Sequence, residues 1–178
     1  MTTTAVLVID MLNTYDHPDA DALAANVAKV IDPMAQLIAE ARERDDVELI
    51  YINDNRGDFS AGRAEVVQAA LNGARPELVE PIVPDADLPF LTKVRHSAFY
   101  ATTLGYLLTQ LDATRIVLAG QVTEQCILYS ALDGYIRHLD VVVPQDAVAH
   151  IIPELGDAAL KMMQRNMDAE ILPAEKCL

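Results

Sequence analysis

Three side chains of types that do chemistry stand where apolar segments give way to polar ones: Asp10, Lys93 and Cys126. Cys126 carries the sharpest signal. Thr123 reads as a helix N-cap, Glu124 suits a first turn, and a helix then runs to about Arg137. That places Cys126 where backbone N–H groups have no intrahelical partner and the helix dipole is positive. Such a setting lowers a thiol's pKa and populates the nucleophilic thiolate. The same N–H groups could cradle an oxyanion formed when a thiolate attacks a carbonyl. The plain alternative is a small buried hydrophobe at a helix start.

Asp10 ends the most apolar segment, Ala5–Ile9, a costly place for a carboxylate that is neither paired nor working. It could take a thiol proton and pass it to a leaving group; equally, Asp is a common turn residue after a strand. Lys93 follows Phe90-Leu91 and could pair with Asp10 and hold Cys126 as a thiolate, or be an ordinary solvated lysine. Each plain reading is sound alone; all three together are less so.

The elements that would position these residues follow from hydrophobic periodicity. Ala5–Ile9, Val47–Ile52, Arg115–Ala119 and Asp140–Val143 read as strands, with weaker ones at Glu170–Leu172 and Phe90–Lys93. Helical spacing covers about 20–42, 101–111, 124–137 and 154–166, and Pro33 is expected to split or kink the first. Strands that are apolar on both faces and alternate with helices predict a single doubly wound α/β domain over 1–178, a mostly parallel sheet covered by helices on both faces. In such a sheet ligands bind beyond the carboxyl ends of the strands, the rim that gathers Asp10, Asn53, Asp54, Arg56, Lys93, Gly120 to Thr123 and Asp146.

Composition excludes several alternatives. A net charge of −14 with scattered basic residues argues against nucleic acid. The leading Met1 to Ile9 has no basic n-region and too short an apolar run for a signal peptide, and no stretch is expected to reach the length of a membrane span. Two cysteines outside any CxxC spacing predict reduced thiols in a cytoplasmic protein. No phosphate-cradling glycine loop or HExxH is present, so no cofactor is expected.

Val8-Ile-Asp10, Lys93-Val-Arg-His-Ser97-Ala-Phe99, and Gly120-Gln-Val-Thr123-Glu-Gln-Cys126 followed by Ala131-Leu-Asp133 and Asp146-Ala147 together resemble the isochorismatase-like cysteine hydrolases. The resemblance is collinear from about Ala5 to Ala149. It implies a three-layer α/β/α fold in which Asp10 is the general base, Lys93 orients and polarises, and Cys126 is the nucleophile. It further implies a cis peptide at Gln121–Val122, an oxyanion hole from the N–H groups of Val122 and Cys126, and a homo-oligomer. Nicotinamidases in the family hold a metal with an Asp and two His after the second strand. Here Asp54 is followed by Arg56, with no histidine between it and His96, so no metal is expected. Candidate pocket residues are Tyr15, Asn53, Arg56 and Phe99. Arg56 and Arg95 could hold a carboxylate, His96 is expected at the surface, Asp146 in a turn and Cys177 in a polar tail. The expected activity is hydrolysis of a small amide or related acyl compound through a thioester on Cys126. Isochorismatase-type vinyl-ether hydrolysis, with Asp10 as acid, and a non-catalytic α/β binding protein are the alternatives.

Overall fold

The apolar runs form strands because they can bury both faces. In the computed structural model, which describes residues 3–178, β1 (Thr3–Ile9) sends Val6 and Val8 into one apolar cluster and Ala5, Leu7 and Ile9 into another. This alternation with period two, apolar on both sides, belongs to a strand inside a sheet with helices above and below.

The remaining elements are α1 (Ala20–Glu43), β2 (Val47–Asp54), α2 (Arg63–Leu71), β3 (Phe90–Lys93), α3 (Leu104–Gln110), β4 (Ala113–Gln121), α4 (Leu128–Ile136), β5 (Asp140–Pro144), β6 (Val148–Ala149), α5 (Pro153–Asn166) and β7 (Glu170–Leu172). All strand pairs are parallel, in the order β3-β2-β1-β4-β5-β7, with β6 added beside β4. The chain builds outward from β1 through β2 to β3, then returns to β4 and builds the other way. The reversal falls between β1 and β4, and the crevice beyond their carboxyl ends is the natural ligand site. One apolar layer packs residues of α1 against the sheet, and the other packs residues of α3, α4 and α5. This is the expected three-layer α/β fold.

Several expectations need correction. α1 runs unbroken through Pro33, because nine other buried side chains besides Met34, from Ala20 to Ala41, hold it against the core. With 24 residues and an 18-residue stretch of mean hydropathy 1.2, α1 is also long and apolar enough by composition to cross a membrane, contrary to the expectation that no stretch is. Its apolar stripe is spent on the sheet. The helix expected from 101 begins at Leu104, after Ala101 takes a left-handed φ of 54°. α2 was not expected; only its Ala70 is buried, so it shows little helical periodicity of apolar residues. Cys177 lies in a packed terminus, fully buried, with its carbonyl accepting a hydrogen bond from Arg115 at 2.7 Å. Asp146 does order a turn, accepting the Ala174 N–H at 2.7 Å. Met1 and Thr2 of the leading segment lie outside the described residues.

Candidate active site

The end of β1 is held from both sides. The Asp10 N–H donates to the Ile52 carbonyl of β2 at 2.9 Å, and the Asp10 carbonyl accepts from Gln121 Nε2 of β4 at 2.6 Å. Asp10 itself takes a left-handed φ of 57°, which turns the chain off the sheet. Gly120 makes this close approach feasible. Its φ is +127°, and a Cβ there would lie 2.1 Å from the Ile9 carbonyl oxygen.

These constraints fix the Asp10 carboxylate between two donors. Oδ1 accepts the Asp54 N–H at 2.8 Å, and Oδ2 lies 2.7 Å from Lys93 Nζ. Lys93 ends edge strand β3, in register with Asp54, yet its side chain is 1% exposed because it points inward across β2 toward Asp10. The same ammonium donates to Cys126 Sγ at 3.7 Å and lies 3.8 Å from Asp54 Oδ2. Asp10, Lys93 and Cys126 are therefore one charge-coupled group. A lysine this deep keeps its proton only beside carboxylates.

Cys126, 7% exposed, sits in a widened π-type turn, Thr123–Ile127, that leads into α4. Thr123 is not the cap expected of it. Val122 is the last extended residue and its carbonyl accepts the N–H groups of Gln125 and Ile127, at 3.0 and 3.2 Å, while Thr123 Oγ1 is buried without a partner. Turns of this kind recur at functional sites. The Gln121–Val122 peptide bond is cis, and the Val122 backbone amide acts to lower the Cys126 thiol's pKa.

The electrostatics differ from the expected low-pKa thiol. Burial and then the Asp10 charge push the Cys126 thiol up to about 12, against the opposing pull of Lys93. Burial likewise raises the Asp10 carboxyl above its ordinary range, against the lowering effects of Lys93, the Cys126 thiol and the Asp54 amide. For Lys93, burial would lower the pKa, but Asp10, Cys126 and Asp54 together hold it above the usual lysine value. The resting site is a Lys93–Asp10 ion pair beside a protonated thiol; the dipole of one short turn does not offset that burial.

A cavity of about 410 Å³ opens beside this group. Asp10, Asn13, Asp16, His17, Gln121 and Gln125 are among its polar lining residues, whereas Lys93 and Cys126 lie behind the lining. Of the expected pocket residues, Asn53 and Arg56 line it. Asn53 also fixes the loop after β1, accepting the Leu12 N–H at 3.0 Å and donating to the Leu12 carbonyl at 3.2 Å. The Arg56 guanidinium donates to Thr14 Oγ1 and Asn13 Oδ1. Tyr15 and Phe99 are not part of this wall. Tyr15 is buried in the α1-side core, where loss of water raises its phenol to about 12. Phe99 is buried in the opposite core, with the Arg137 guanidinium 4.8 Å from its ring centre. Arg95 is exposed and donates to the Val94 carbonyl at 3.0 Å.

The Ser97-Ala98-Phe99 block has a structural role. Ser97 Oγ donates to Asp133 Oδ2, the Ala98 N–H donates to Ser130 Oγ at 2.9 Å, and the Phe99 N–H donates to Ser97 Oγ at 3.2 Å. These bonds clamp the segment after Lys93 onto α4 and thereby tie β3 to the helix that follows Cys126. His96, in the same segment, is exposed as expected, yet its Nδ1 lies 3.7 Å from Cys126 Sγ. Its place three residues after Lys93, before the Ser-Ala-Phe block, was the only signal for it in the sequence.

Comparison with known proteins matches the isochorismatase domain model to residues 4–176. The chain belongs to the isochorismatase family. It is therefore a member of a family of hydrolases. It is 34% identical over 175 residues to the uncharacterized isochorismatase family protein YaaI of Bacillus subtilis, covering 98% of this chain and 96% of that one. It is 30% identical over 178 residues to a probable inactive nicotinamidase of Arabidopsis thaliana, covering 90% and 88%. Maleamate amidohydrolase of Pseudomonas putida is 29% identical over 154 residues, covering 81% and 71%. In structure, the isochorismatase-like hydrolase of Alkaliphilus metalliredigens shares the fold, with a TM-score of 0.80 at 22% identity over 98% of this chain and 94% of that one.

Proposed function

We propose that this chain hydrolyses a small amide or related acyl compound through a thioester on Cys126. The observation that carries this reading is the placement of Lys93 Nζ, 2.7 Å from Asp10 Oδ2 and 3.7 Å from Cys126 Sγ. Because the thiol rests protonated, a base must take its proton as it attacks, and Asp10 is the carboxylate coupled to it. The thiolate adds to the substrate carbonyl, and the N–H groups of Val122 and Cys126 hold the resulting oxyanion. Collapse breaks the C–N bond, and protonated Asp10 delivers its proton to the departing amine. Water then gives a proton to Asp10 and attacks the thioester; the acid product leaves and the thiol regains its proton. Lys93 keeps its charge throughout and balances whichever of Asp10 or Cys126 is anionic. An amide-cleaving relative, the maleamate amidohydrolase, supports the C–N reading.

One observation favours a second reading. A carboxyl raised by burial beside a thiol held protonated suits Asp10 as an acid toward a vinyl ether, with Cys126 a bystander. A screen of purified protein against small amides, esters and vinyl ethers, repeated with Cys126→Ala, separates the readings. Loss of amide turnover in the variant supports the thioester route, and full retention on the best substrate overturns it. A wild-type protein inert toward every class would instead support a non-catalytic binding protein; the Arabidopsis relative is itself named a probable inactive nicotinamidase.

A further inference from the structure

The Cys126 sulfur has polar neighbours on two sides. From the buried side come Lys93 and, behind it, Asp10 and Asp54. On the other side stands His96, an exposed side chain whose Nδ1 is 3.7 Å from Sγ. The imidazole is not free to swing, because its ring stacks on Tyr129 of α4, with centroids 5.5 Å apart and planes 30° apart. Its backbone is held by the clamp at Ser97 and Ala98. A ring fixed by stacking and by its chain, with a nitrogen at N–H···S distance from the sulfur, is built to present that nitrogen to it.

We propose that His96 Nδ1–H is a hydrogen-bond donor to the Cys126 thiolate from the solvent side, stabilising the anion both as it attacks and as it is released from the thioester. No bond is made or broken at His96. Its N–H points at sulfur when sulfur carries charge, loses most of that attraction when sulfur is acylated, and regains it on deacylation. Hydrogen bonds to ionised acceptors are about twice as strong as neutral ones, so the contact favours the thiolate over both the thiol and the thioester. The pairing also answers an electrostatic need. Asp10 opposes thiolate formation and Lys93 is shared between two carboxylates, so a donor without a carboxylate of its own adds net stabilisation.

The proposal rests on Cys126 being the nucleophile, but its test needs no substrate, so failure of amide turnover and failure of the donor are read separately. Two variants divide the two properties of the ring. His96→Phe keeps an aromatic ring to stack on Tyr129 and removes the nitrogen. His96→Asn gives up the stack and places an amide nitrogen near the position of Nδ1. Iodoacetamide labelling at about pH 8, followed on the Cys126 peptide by mass spectrometry, reads the thiolate in each. The expected result is alkylation about threefold slower in His96→Phe, a tenfold smaller thiolate fraction partly offset by a more nucleophilic sulfur. In His96→Asn the rate stays nearer wild type. A wild-type rate in His96→Phe overturns the proposal. So does the reverse order of the two variants, or equal slowing in both, since either would make the stack the operative contact. A His96→Phe protein that failed to fold would leave His96→Asn against His96→Leu to decide, since neither keeps the ring on Tyr129 and only Asn can donate. Slower alkylation in His96→Leu than in His96→Asn supports the donor role, and equal rates or the reverse order overturn it.

Discussion

Replacing Asp10 with Asn should make the Cys126 thiol more reactive while stopping catalysis. The Asp10 charge is the second cause, after burial, of the raised thiol, and Lys93 is the opposing one. Asn keeps an oxygen for the Asp54 N–H that Oδ1 now accepts, so the turn after β1 retains its anchor. An unopposed ammonium 3.7 Å from the sulfur is worth about 4 kcal/mol at an effective dielectric near 20. Asp54, 3.8 Å from the same ammonium, takes up about half of this, leaving about 2 kcal/mol, or roughly 1.5 pKa units. At a fixed pH below the thiol pKa the thiolate fraction then rises about 30-fold. The less basic sulfur is about fivefold less nucleophilic, so alkylation by iodoacetamide should accelerate about sixfold. Turnover of the best amide should disappear, because Asn accepts no proton from the thiol. Alkylation at or below the wild-type rate would refute the electrostatic coupling of the three residues.

Other outcomes follow from the same geometry. Amide turnover should fall as pH drops through the raised Asp10 pKa, at higher pH than for an ordinary carboxylate, because protonated Asp10 cannot accept the thiol proton. A pH–rate profile flat down to the usual carboxylate range would contradict this. Activity should survive exhaustive chelation, since Lys93 and Arg56 place cations beside Asp54 and no group of three or more His, Cys, Asp or Glu able to hold a metal lies among the described residues; loss with EDTA and recovery with zinc or manganese would show otherwise. Gly120→Ala should cost about 4 kcal/mol or more, lowering the melting temperature by about 10 °C, because its Cβ would meet the Ile9 carbonyl oxygen. A melting temperature within a few degrees of wild type would show that the β1–β4 junction can spread.

The strands were legible in the sequence because both faces of the sheet are buried, which leaves continuous apolar runs such as Ala5–Ile9 and Arg115–Ala119. Where those runs turned polar located the rim, and so Asp10, Lys93 and Asn53. α2 was not legible, since a helix that buries little more than Ala70 needs no apolar stripe. Closeness in sequence to Lys93 suggests Phe99 as a pocket wall, and the family resemblance suggests Tyr15, which stands where the family has a phenylalanine after the Asp. Side-chain direction decides otherwise, and both turn into the two cores. The thiol's pKa was beyond the sequence for a related reason. A helix start is visible as Thr123-Glu124, but the burial that outweighs it depends on α4 and α5 packing over the sheet. His96 reaches the sulfur only because Ser97 and Ala98 are fastened to α4 by Asp133 and Ser130, residues more than thirty positions away.

The central claim is a covalent intermediate on Cys126, and trapping it is the most direct test. The protein would be mixed with a small amide or activated ester that it turns over, quenched in acid within the turnover time, and digested for mass spectrometry. The account predicts an added mass equal to the acyl group on the Cys126 peptide, and neither adduct nor turnover in Cys126→Ala. Steady turnover with no adduct at Cys126, undiminished in Cys126→Ala, would contradict it.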